Sequence, residues 1–187
     1  MSNSIFKAIL RALKKPKIDE AMLDFAFNAV MIDGRVQCEV LVSTLGAITG
    51  TQLFFDQARA LPEILRLEPG AAILIADVDS KGAAAVSVIG RVMQSFGVEV
   101  SSKTPPKIED RGFTETPPEL ARRHFQKFSQ FLESNGVAVE DRALRLAAVS
   151  GLAICTARDQ LSPDLSLALT VEAMVHCAKS RPLIENI

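Results

Sequence analysis

Two long stretches near the C-terminus carry almost no charge, and they limit the folds open to this chain more than any other feature. Leu146 to Ala157 has no charged residue, and Leu165 to Ala178 has only Glu172 and His176. Read at helical spacing, the first stretch is apolar nearly all round. It predicts a central helix over residues 141–160 that other elements must enclose, with Leu146, Val149, Leu152 and Ala153 buried at its middle. In the second, Ser162 reads as N-cap and Pro163 as the first helical residue. That helix is expected to run to about Lys179, with Pro182 just beyond it. A third helix over 118–134 has Ala121, Phe125, Phe128 and Leu132 as its buried stripe, and Asn135-Gly136 stops it.

Composition supports a closely packed interior. Of 187 residues 48% are hydrophobic but only 5% aromatic, all Phe, so the core must be aliphatic and rich in Ala. The net charge of −1 gives no global field to attract nucleic acid or an anionic membrane. Cys38, Cys155 and Cys177 are odd in number and widely spaced, which is no disulfide framework and points to a reducing, cytoplasmic compartment. No apolar run reads as long enough to span a bilayer. Lys7 and Arg11 interrupt the apolar N-terminus, so it does not read as a signal peptide.

The N-terminal part is mixed in character. Residues 4–14 form a basic amphipathic helix candidate, with Ile5, Phe6, Ile9, Leu10 and Leu13 on one face. Lys7, Arg11, Lys14, Lys15 and Lys17 supply five of the 21 basic residues, leaving 16 against 22 acids, a balance of −6, elsewhere. Such a helix can dock on a protein partner or a membrane surface, or pack on its own acidic body. Residues 20–32 lean to helix, capped by Asp19. Asp33-Gly34 is a hairpin signal, and the β-branched run after it predicts a strand over 36–43. Residues 52–66 read as a helix that Pro62 kinks or breaks.

The stretch Ala71 to Val100 reads as a βαβ unit over residues 72–100. The apolar run Ile73 to Ala76 ends in Asp77 and Asp79, Ser80-Lys81-Gly82 turns the chain, a helix follows to Phe96, and Gly97 precedes a second strand, Val98-Glu99-Val100. The Pro-rich segment 101–117 then reads as a linker between a mixed part, 1–100, and a helical part, 118–187. The expected fold is α+β and helix-rich, with an all-α fold as the alternative.

Asp77, Asp79 and Gly82 are the candidate ligand-binding residues. Strand residues two apart share a face, so both carboxylates would reach one cation, and Mg²⁺ suits such an oxygen pair. The stretch ILIADVD, a helix, then GVEV resembles the opening of a phosphoacceptor receiver domain. It departs in that Val78 separates the two acids and no later strand carries a phosphorylated Asp. Asp77-x-Asp79-x-x-Gly82 also resembles the cobalamin-binding signature, without its metal-ligating His. An ordinary βα turn whose Asp caps the helix fits the same residues.

A weak internal echo aligns residues 32–39, IDGRVQCE, with residues 157–164, ARDQLSPD, without gaps. Each lies between apolar helix-like runs. The pattern resembles the helix-loop-helix of tellurite-resistance-type helical domains, whose loops read roughly D-G-x-[IL]-S-x-x-E. That resemblance implies helix, not strand, over residues 36–46. Cys155 and Cys177 stand at different heights on neighbouring antiparallel helices and read as separate buried thiols. His124, among Arg122, Arg123 and Lys127, reads as a surface residue. No G-x-S-x-G, P-loop, H-E-x-x-H or G-x-G-x-x-G occurs. The expected role is a non-enzymatic interaction or regulatory protein without a cofactor, forming a homodimer through its C-terminal helices. The alternative is a Mg²⁺ or small-ligand site at Asp77 and Asp79.

Overall fold

The computed structural model describes residues 16–73, 76–100 and 115–184. Among them lie six α-helices and no strand: α1 (Pro16–Val30), α2 (Cys38–Ala58), α3 (Ala76–Ser95), α4 (Pro117–Ser134), α5 (Arg142–Ala157) and α6 (Pro163–Ala178). Two 3-10 turns, Pro62–Arg66 and Val139–Asp141, join them. Helix makes up 74% of what is described, so the expected α+β fold with its βαβ unit is overturned and the all-helical alternative holds. The basic segment 4–14 and most of the Pro-rich linker lie outside the described residues.

The βαβ expectation fails at both ends for identifiable reasons. At its start, Asp77 and Asp79 stand in the first turn of α3 rather than at the end of a strand. Acids are favoured there by the helix dipole, and Ala83, Ala84 and Ala85 supply strong helix formers just after. At its end, Gly97 takes a left-handed φ of 67°. The Gly97 N–H donates to the Gln94 carbonyl at 3.0 Å and the Val98 N–H to Met93 at 2.9 Å, a Schellman cap. Val98 is buried as the apolar residue that closes this cap, not as the start of a strand. The same device ends α4, where the Gly136 N–H reaches Glu133 and the Val137 N–H reaches Leu132, both at 2.9 Å.

The strand expected over residues 36–43 is also helix from Cys38 onward, as the tellurite-resistance-type pattern implied. The hairpin signal before it is real but local. Asp33 (φ 50°) and Gly34 (φ 73°) form a tight turn in which Ile32 and Arg35 exchange both backbone hydrogen bonds at 2.9 Å. No strand extends from it. The β-branched Val40 and Val42 fit a helix here because α2 is enclosed on nearly every side, and tertiary packing outweighs propensity.

Helix α2 is the centre of the bundle, a place the sequence assigned to α5. The two helices are buried to the same fraction, 17 of 21 residues in α2 and 13 of 16 in α5, but α2 alone packs on all five other described helices. By length and composition α2 could also cross a bilayer, contrary to the reading that no run is long enough, but most of it is buried against its neighbours. Of the four residues expected at the middle of α5, Leu146, Val149 and Ala153 are buried and Leu152 is half-buried.

Two glycines set the main packing seam. A Cβ on Gly46 would lie 2.3 Å from the Thr170 carbonyl oxygen, and one on Gly50 would lie 2.1 Å from that of Met174. Gly46-x-x-x-Gly50 therefore lets α2 and α6 run parallel with their backbones almost in contact. Gly151 does the same for α5 on α3, where a Cβ would stand 3.0 Å from the Ile89 carbonyl oxygen.

The internal echo has a structural counterpart. Shifting residues 16–58 by 125 positions, the offset between 32 and 157, lays the first residue of α2 (Cys38) on that of α6 (Pro163). The turns that lead into α2 and α6 meet where the Cys38 thiol donates to Gln160 Oε1 at 3.5 Å.

Candidate functional site

The predicted acids no longer form the arrangement that motivated them. The case for a shared cation rested on strand spacing, whereas residues two apart on a helix do not face each other. Among the described residues no three His, Cys, Asp or Glu side chains converge as a metal site. Gly82, in the second turn of α3, does line a surface groove.

That groove opens between the early turns of α3 and the last turns of α6, over the C-terminal part of α2. Its volume is about 140 Å³. Gly82, Ala83 and Val86 form one wall, Met174, Val175 and Ala178 the other, with Leu53 beneath and Lys179 at the rim. It exists because the α3 wall opens on residues too small to fill the space. The lining is almost wholly apolar, so the groove can bury hydrophobic groups but carries no acid–base or nucleophilic pair. Val175 is 43% exposed at its edge.

His124 and the three cysteines are buried and held in unreactive forms. His124, expected at the surface, is only 4% exposed, and its Nδ1 has no hydrogen-bond partner. Burial, then the nearby charges of Arg123 and Lys127, push its pKa down to about 4, so it is neutral at pH 7. All three cysteines are free and buried. Burial pushes the Cys177 thiol up to about 12 and raises Cys38 and Cys155 as well. A thiol needs a lowered pKa to act as a nucleophile at neutral pH, and these have the reverse.

One buried polar contact was not foreseen. Asp19, expected as a helix cap, lies inside α1, and both its carboxylate oxygens accept from Arg145 Nη1 at 2.8 Å. The two side chains are 7% and 4% exposed. Burial lifts Asp19 to about 6, against the pull of Arg145. The pair ties the start of α1 to the start of α5. Its signal was available: Arg145 sits at the edge of the charge-free stretch Leu146 to Ala157, where a cation must be buried or bent outward. Comparison with protein-family models, with curated proteins and with solved structures finds no match for this chain.

Proposed function

We propose that this chain is a non-enzymatic interaction module that self-associates through the outer face of α6. The supporting observation is the apolar line Leu167, Val171 and Val175, spaced four residues apart. It runs from half-buried positions to the exposed Val175 at the edge of the apolar groove. The bundle covers most of α6, and Val175 stands exposed on the remaining face beside Glu172 and His176.

The occupant proposed is a second copy of the chain. An antiparallel crossing of two α6 helices centred on Val175 sets Glu172, three residues before it, near Lys179 of the other copy, four residues after it. Opposite charges then flank an apolar centre, the pattern of a self-complementary two-fold contact. The three buried free thiols favour a reducing compartment for this assembly. Sedimentation at micromolar concentration should give twice the chain mass of 20.2 kDa for the natural chain. V175E should give the single mass with an unchanged melting temperature. A natural chain sedimenting at 20.2 kDa overturns the proposal.

A further inference from the structure

We draw no further inference here: the strongest candidate, the face where the turns at residues 31–37 and 158–162 bring the N-termini of α2 and α6 side by side, rests on helix N-termini and an acidic cluster, with no second observation of a ligand.

Discussion

Replacing Gly50 by Ala tests the parallel seam that organises the bundle. The substitution adds one methyl group to the middle of α2. On an exposed helix it would stabilise by about 1 kcal/mol, because Ala is the better helix former. At Gly50 the new carbon would meet the Met174 carbonyl oxygen at 2.1 Å, its carbon at 2.9 Å and the Ala178 nitrogen at 3.0 Å. All three are backbone atoms, so no side chain can swing aside. Ordinary contact begins near 3.4 Å, so α2 and α6 must part by about 1.3 Å at that point, the difference between 3.4 and 2.1. A gap of about 1 Å forfeits roughly half of each dispersion contact along the seam. Overpacking of this kind costs typically about 1–3 kcal/mol and occasionally more. Because every obstructing atom is backbone, the upper end of that range, about 3 kcal/mol, applies; set against the propensity gain, the net loss should be about 2 kcal/mol, or roughly 4–8 °C in melting temperature for a chain of this size. Urea unfolding followed by far-UV circular dichroism measures it. Gly90→Ala is the control, because a Cβ there meets nothing within 4 Å on the exposed side of α3. It should stabilise by about 0.5–1 kcal/mol. If Gly50→Ala were neutral or stabilising like Gly90→Ala, the two backbones could not be in contact.

Arg145→Met strands the Asp19 carboxylate in the interior and should cost about 3–5 kcal/mol at pH 7.5. The folded pKa of Asp19, about 6, is raised above its ordinary 3.8, so its ionised form is penalised above about pH 6 and relieved as the pH falls toward 4. The variant, without the cation, should therefore recover stability relative to the natural chain on acidification from pH 7.5 to 5, by up to about 1.4 kcal/mol per pH unit. A loss that deepens on acidification would refute this, as read from urea midpoints at the two pH values. Cys38, Cys155 and Cys177 should react with an aromatic disulfide reagent only as fast as the chain opens, so their labelling should accelerate together with urea. Rapid labelling of one thiol in the folded protein would show that it is accessible. Adding millimolar Mg²⁺ should leave the melting temperature unchanged, because Asp77 and Asp79 stand two apart on a helix. A rise that Asp77→Ala abolishes would restore the cation site.

The helical C-terminal part was legible because its signals are local. The Ser162 N-cap accepts from the Leu165 N–H at 3.4 Å, Pro163 opens α6, and α4 ends at Asn135-Gly136 as the residues imply. Pro62 likewise separates α2 from a short 3-10 turn. The N-terminal part was misread where one local signal fits two structures. A Gly followed by Val after a helix can begin a strand or close a Schellman cap, and Gly97-Val98 does the second. Asp33-Gly34 makes its tight turn, but the turn joins two helices. The central position of α2 is carried by Gly46 and Gly50, whose spacing is visible in the sequence but gains meaning only beside the α6 backbone. His124 sits among basic neighbours in sequence yet points inward, because residues 121, 124, 125 and 128 share one side of α4. The groove leaves no local signature, since small residues on α3 matter only where α6 faces them.

Cross-linking through a single new cysteine at Val175 tests the proposed two-fold contact most directly. The natural thiols are buried, so a short bis-maleimide should reach position 175 alone in the folded protein. Helices that cross at Val175 bring the two copies of that position within the reach of the linker. V175C should then run mainly at twice 20.2 kDa under denaturing conditions, while E140C, exposed before α5 and away from the contact, should stay at 20.2 kDa. Equal and low cross-linking of both variants at micromolar protein would contradict self-association through α6.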